Sequence, residues 1–152
     1  MTKYKPFLIQ KLKDLAIVRD SEEFGVRVKH VPFKIFPEMK EVHSVSFHDE
    51  NGDDEFIPET PTFKAYEMDC EFLYQGLHGT ANVKIKEFLT YLSTGGAFSI
   101  YDTYTGIGRT EVRYAGYEED VLYRKDDEDD AVIFSVKLKV NDPVTDIILS
   151  KL

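Results

Sequence analysis

Cysteine is almost absent from this chain, and its histidines do not supply a metal-binding pattern in place of cysteines. Cys70 is the single cysteine among 152 residues, which excludes an intramolecular disulfide framework. His30, His43, His48 and His78 stand in no zinc-ligand spacing with it. Because Cys70 occupies a core-facing position in a strand pattern, the sequence predicts that it serves as a small buried hydrophobe.

Long apolar runs are also missing. Charged residues interrupt every apolar stretch before the roughly 18 residues that a membrane-spanning helix needs. Met1–Phe7 contains basic residues but lacks the apolar segment of a signal peptide. We therefore expect that the protein does not contact a membrane. We also expect that it is synthesised and first folds in a cytoplasm.

Basic residues are scarce relative to acidic ones. The chain has 19 Lys and Arg against 28 Asp and Glu, a formal net charge of −9. Nucleic-acid binding depends mainly on neutralising phosphates with Lys and Arg, so the sequence argues against sequence-specific recognition of DNA or RNA. An acidic surface would, however, let DNA pass without sticking.

No local signature of catalysis or cofactor binding is present. The sequence contains no nucleophile elbow and no Ser/His/Asp or Cys/His pattern. Gly106–Arg109 lacks the third glycine and the Lys-Ser/Thr of a phosphate-binding loop, so a hairpin connection is the favoured interpretation. The sequence predicts a protein that is not an enzyme and has no cofactor.

A calcium loop is suggested but incomplete. Asp49, Asn51 and Asp53 alternate like the first ligands of an EF-hand. The sixth and twelfth positions from Asp49 are Asp54 and Thr60 instead of Gly and Glu. A solvated turn is favoured, and a weak calcium site of another type stays open.

Tryptophan is absent, yet nine Tyr and eleven Phe give an aromatic content that favours β structure. In Phe63–Tyr74, apolar and polar residues alternate as in a strand buried on one face. Further strands are predicted at Phe7–Gln10, Leu15–Arg19, Phe24–Val31, Val42–Phe47, Phe98–Tyr101, Arg109–Tyr117 and Ala131–Val140. For the first two, the sequence leaves open that Leu8–Leu15 starts a helical turn instead.

One amphipathic helix is predicted, over about residues 80–94. Thr80 is a candidate N-cap, and Gly95-Gly96 can end the helix in the left-handed conformation. Its apolar stripe, expected to pack on the sheet, consists of Ala81, Ile85, Phe88, Leu89 and Leu92. The order of elements predicts a single α+β domain over residues 1–152, an antiparallel β-sandwich or partly open barrel with one packed helix.

Two acidic segments interrupt the strands. His48–Pro61 reads as an extended loop with an Asn-Gly pair and two prolines, and Lys125–Asp130 as a second acidic connection. The first carries an apolar pair, Phe56-Ile57. That pair either docks onto a neighbouring subunit or folds back onto its own domain core, and the sequence leaves both open.

Two arginines complete the candidate site. Arg109 and Arg113 are predicted on one face of the same strand, where they can pair with acidic neighbours across the sheet or across a subunit boundary. The predicted subunit interface therefore consists of Phe56, Ile57, Arg109 and Arg113. Arginine and aromatic residues are common anchors of protein interfaces.

From about Val42 to Asp146 the layout resembles the N-terminal, ring-forming domain of phage distal tail proteins, and more broadly the phage tail-tube fold. The resemblance is carried by the segments His48–Pro61, Phe72-Leu73-Tyr74, Thr80–Thr94, Phe98–Asp102 and Arg109–Tyr114. It implies a hexameric ring around a channel, strands lining that channel, and long loops hooking the neighbouring subunit. Other tail proteins would be the partners.

The first functional hypothesis is therefore a structural, self-assembling phage or prophage tail component, found in the virion tail and assembled in the host bacterial cytoplasm. A second is a small enzyme or ligand-binding barrel, with residues 48–61 as a lid. A third is a protein-binding adaptor module. Ring formation would distinguish the first from the others.

Overall fold

Antiparallel strands are the main regular secondary structure of the chain. The computed structural model describes residues 5–123 and 130–150. Within them lie one α-helix, α1 (Ala81–Ser93), and a short 3-10 helix, Ser21–Phe24. The strands are β1 (Phe7–Lys11), β2 (Arg19–Asp20), β3 (Val26–His30), β4 (Ser44–Ser46), β5 (Asp53–Glu55), β6 (Tyr66–Gly76), β7 (Phe98–Asp102), β8 (Ile107–Tyr123) and β9 (Asp130–Val140).

The described strands form one large sheet and one small one. Seven strands follow the order β2-β1-β7-β8-β9-β6-β3, and every neighbouring pair is antiparallel. The rings of Phe7 on β1 and Phe72 on β6 lie 5.6 Å apart although three strands separate β1 and β6 in this order, so the sheet curves back over its own core. The predicted α+β class, an antiparallel sheet system with one packed helix, is confirmed.

The alternation in β6 is that of a strand with one face in the core. Its inward residues are Tyr66, Met68, Cys70, Phe72 and Tyr74, all buried. Phe72 stacks on Phe134 of β9, with ring centroids 5.8 Å apart. Cys70 is fully buried, as expected for a small hydrophobe, and burial raises the pKa of its thiol.

The helix packs its apolar stripe onto this face of the sheet. Phe88 is fully buried, with ring centroids 5.3 Å from Phe72, 5.5 Å from Phe24 and 6.4 Å from Phe134. The stripe prediction is correct for Ala81, Ile85, Phe88 and Leu92. Leu89 is only half-buried, because it lies at the margin of the stripe beside an open groove.

The two ends of α1 are held by residues of the sheet. Asp130 Oδ2 accepts hydrogen bonds from the backbone N–H groups of Gly79 (2.9 Å) and Ala81 (3.2 Å). Lys11 Nζ donates to the carbonyl oxygen of Thr94 (2.6 Å). A carboxylate at the N-terminus and an ammonium at the C-terminus both oppose the helix dipole.

Thr80 is the N-cap residue, but its side chain makes no cap hydrogen bond; its hydroxyl contacts Tyr74 Oη (2.7 Å) instead. Gly95 and Gly96 do adopt positive φ after the helix. Of the second predicted acidic connection, residues 125–129 lie outside the described residues.

The strand predicted at Leu15–Arg19 is wrong for most of its length. Residues 14–17 form turns, with Ile17 N donating to the carbonyl oxygen of Asp14, and only Arg19–Asp20 pair with β1. Lys13 and Asp14 precede two exposed apolar residues there, Leu15 and Ile17. The apolar pattern of this segment therefore does not reflect burial.

Candidate interaction surface

A long two-stranded arm projects between β3 and β6. We call residues 38–64 the arm. At its base Lys64 N donates to Glu38 O (2.7 Å) and Lys40 N to Thr62 O (2.9 Å). Further out Phe56 N donates to His43 O (2.8 Å). The arm is thus held by backbone pairing along its length.

The distal part of the arm is the small sheet of β4 and β5. Ser44 pairs with Glu55 and Ser46 with Asp53. The intervening turn has Gly52 at φ 75°, a conformation that favours glycine. The segment His48–Pro61, predicted as a loop, is therefore the turn and returning half of a hairpin, and β5 lies within it.

The arm exposes apolar side chains that its own domain does not cover. Phe56 is 70% exposed and Ile57 74% exposed, so the pair is not part of the domain core. Phe47 and Val45 are exposed on the same hairpin, and Met39 near its base. A two-stranded hairpin buries too little surface to be stable alone, which makes a covering partner physically useful.

Most of the protein's net charge lies on the arm. Residues 38–64 contain eight Asp and Glu against two Lys, a formal net charge of −6 out of −9 for the chain. Five of the carboxylates, Asp49, Glu50, Asp53, Asp54 and Glu55, fall within seven residues of the distal hairpin. The apolar pair Phe56-Ile57 is therefore presented in a strongly anionic setting.

The two candidate arginines lie on opposite faces of β8. Glu111 has φ 54°, and the pairing with β7 shifts so that Ile100 faces Arg109 while Phe98 faces Val112. This bulge inserts one extra residue and reverses the alternation. The prediction that both arginines share a face is therefore wrong: Arg113 is exposed and Arg109 is buried.

Arg109 connects three segments of its own chain. The residue is 2% exposed, and its guanidinium pairs with the carboxylate of Asp146 in the C-terminal segment. Nη2 donates to Lys34 O (3.0 Å), just before the arm, and Nη1 to Gly108 O (2.9 Å). Arg109 therefore fixes the base of the arm and the C-terminal segment, and Arg113 is the arginine that reaches the surface.

Nearby, the C-terminal segment is folded by a carboxylate. Asp142 Oδ1 accepts hydrogen bonds from Val144 N (3.2 Å) and Thr145 N (3.1 Å). Burial alone would raise the pKa of Asp142, but these hydrogen bonds and the charge of Arg109 bring it below its ordinary value. The segment lies close over β8, since a Cβ on Gly108 would meet Ile147 O at 2.3 Å.

Among residues 5–123 and 130–150, no group of three or more His, Cys, Asp or Glu side chains is placed to hold a metal ion. In the same residues no helix has the length and apolarity that a bilayer crossing requires. The arm thus stands out as the feature in need of a functional explanation.

Comparison with known proteins gives a likeness to solved structures. No protein-family model matches the chain, and neither does any curated protein. Among solved structures it is similar to the Dit protein of phage SPP1, described as a paradigm of the hub adsorption apparatus in Gram-positive infecting phages. The TM-score is 0.62 at 15% sequence identity, over 90% of this chain and 50% of SPP1 Dit.

The chain has the fold of one part of SPP1 Dit. It spans half the length of that protein, so the likeness concerns one part of SPP1 Dit. At 15% identity the likeness is one of backbone architecture, and the roles of individual side chains must come from this chain's own contacts.

Proposed function

We propose that this chain is a structural component of a phage or prophage tail, a distal-tail or tube-like ring subunit without catalytic activity. The Dit fold supports the tail assignment, and the resemblance seen in the sequence points the same way. In this proposal the protein resides in the virion tail after assembly in the host bacterial cytoplasm. Its partners are further copies of itself, in a ring of six, and other tail proteins.

The observation that carries the self-assembly part is the arm. An anionic hairpin with Phe56 and Ile57 exposed is costly to leave in water and well shaped to extend onto a neighbour. In this proposal each subunit gives its arm to one neighbour and receives an arm from another, so the contact is heterologous. Contacts of this type produce closed rings when the rotation between subunits closes.

Ring formation can be tested directly. Concentrated protein, alone and mixed with its neighbouring tail proteins, should form closed rings visible by electron microscopy, with a mass six times that of the 17.6 kDa chain. A protein that stays monomeric in the presence of all its tail neighbours would rule out the ring.

The arm can be tested by the double substitution Phe56→Ser/Ile57→Ser. Because both side chains are exposed, the monomer should keep its melting temperature while assembly weakens. Leu15→Ser/Leu77→Ser is the matched control, since it removes two similarly exposed apolar side chains outside the arm. A large loss of monomer stability in the arm variant would show that the pair belongs to the domain core.

A further inference from the structure

A cleft lies between β3 and the turn after β7. Its volume is about 460 Å³. Val28 and Val31 supply apolar surface inside it, and Lys5, Lys29 and His30 supply basic groups around it. Tyr104, 80% exposed, stands at its edge.

The acidic group in this cleft is engaged with its own turn. Asp102 is buried, and its carboxylate oxygens accept hydrogen bonds from Tyr104 N (3.2 Å) and Thr105 Oγ1 (3.1 Å). Lys29 Nζ contacts Glu71 Oε1 (3.1 Å) but remains largely exposed at the rim. The cleft therefore combines an apolar interior with a basic rim, on a chain whose net charge is negative.

The arm offers the complementary pattern. Phe56 and Ile57 are exposed, with Asp53, Asp54 and Glu55 immediately before them and Glu59 shortly after. An apolar pair bracketed by carboxylates is complementary in charge to an apolar cleft bordered by Lys5 and Lys29. In the structure the pair does not line its own chain's cleft.

We propose that this cleft receives Phe56 and Ile57 from the arm of a second copy of the chain. The inference rests on the proposed function and names the receiving surface for the arm. Tyr104 and the two valines contact the apolar pair, while Lys5 and Lys29 face the carboxylates that flank it. Each subunit then gives an arm to one neighbour and receives an arm from the other.

Two variants, each lacking one side of the proposed contact, test this proposal when they are mixed. The arm variant, Phe56→Ser/Ile57→Ser, keeps an intact cleft. The cleft variant, Lys5→Glu/Tyr104→Ser, keeps an intact arm and changes only exposed side chains, so its fold should be unaffected. Lys29 is left in place because it also pairs with Glu71.

Each variant alone should remain monomeric under conditions in which the unmodified chain assembles. An equimolar mixture should form a 1:1 dimer with twice the 17.6 kDa mass, since the mixture contains one intact arm–cleft pair. Raising the salt from about 0.1 M to about 1 M shortens the screening length from about 10 Å to about 3 Å, and should raise the dissociation constant of this dimer several-fold. Sedimentation velocity measures both results.

The control Lys13→Glu/Leu77→Ser makes the same kinds of change on exposed residues outside the cleft and should assemble normally. If the cleft variant assembles like the unmodified chain while the arm variant does not, the arm docks elsewhere and the proposed cleft is wrong, although the proposed function stands. Failure of the mixture to form a dimer also overturns the cleft. If the unmodified chain never assembles, even with its tail neighbours, the proposed function itself fails.

Discussion

Substitutions along α1 should separate buried from half-buried positions by their effect on stability. Phe88 has no solvent exposure and contacts three other aromatic rings, so Phe88→Ala removes a large side chain from a site that cannot easily collapse. The free energy of unfolding should fall by about 3–5 kcal/mol. Leu89 is half-buried beside a groove of about 270 Å³, so Leu89→Ala should cost roughly 1–2 kcal/mol, below the ~2–5 kcal/mol of a fully buried leucine.

The same helix provides the control. Val83 is 56% exposed, and Val83→Ala should change the free energy of unfolding by no more than about 0.5 kcal/mol. Urea denaturation followed by circular dichroism gives all three values, and an unchanged denaturant dependence shows that the unfolded state is comparable. Measurements in the Phe56→Ser/Ile57→Ser background keep assembly from contributing. Equal losses for Phe88→Ala and Leu89→Ala would refute the packing of α1 described here.

Three further predictions concern single side chains. Asp130→Ala should lower the free energy of unfolding by roughly 1–2 kcal/mol in urea denaturation, because the N–H group of Ala81 loses its acceptor; no change would mean that Asp130 does not cap the helix. Since the pKa of Asp142 is lower in the folded than in the unfolded chain, the stability it contributes is present above its ordinary value of 3.8 and is lost as the pH falls below that value. Asp142→Ala should therefore be less stable than the unmodified chain at neutral pH, and the difference, followed by thermal melting, should shrink in acid; a difference that grows in acid would contradict the sign. Cys70 should react with a thiol reagent only on unfolding, since burial raises the pKa of its thiol, and rapid labelling of the native protein would show that the strand opens.

The sequence predicts best where structure is decided locally. The alternation in Tyr66–Tyr74 and the stripe on α1 each report one buried face, and both faces are found in the core. The strand prediction at Leu15–Arg19 failed because turns there leave apolar residues in solvent. Periodicity indicates which residues share a face and does not say whether anything covers it.

Features that depend on distant parts of the chain could not be read from pattern. Asp130 reaches the start of α1 from about 50 positions away, whereas the local candidate, Thr80, turns its hydroxyl to Tyr74. The bulge at Glu111 is not marked by a glycine or proline, so strict alternation placed Arg109 on the same face as Arg113. The return of Asp53–Glu55 onto β4 was likewise hidden, because acidic residues are poor indicators of a strand.

The position of β9 in the sheet has a consequence for the order in which the protein can form. β9 is the last described strand to be synthesised, yet it lies between β8 and β6 in the middle of the sheet. Until residue 140 has left the ribosome, β6 can pair only with β3, and β8 only with β7, so the nascent chain holds two separate half-sheets with apolar faces. Because β9 follows β8 directly in sequence, a local hairpin brings it into place, and that single step joins both halves. The domain core therefore closes only after β9 has been synthesised, and a chain stopped before β9 would expose two open strand edges to its neighbours.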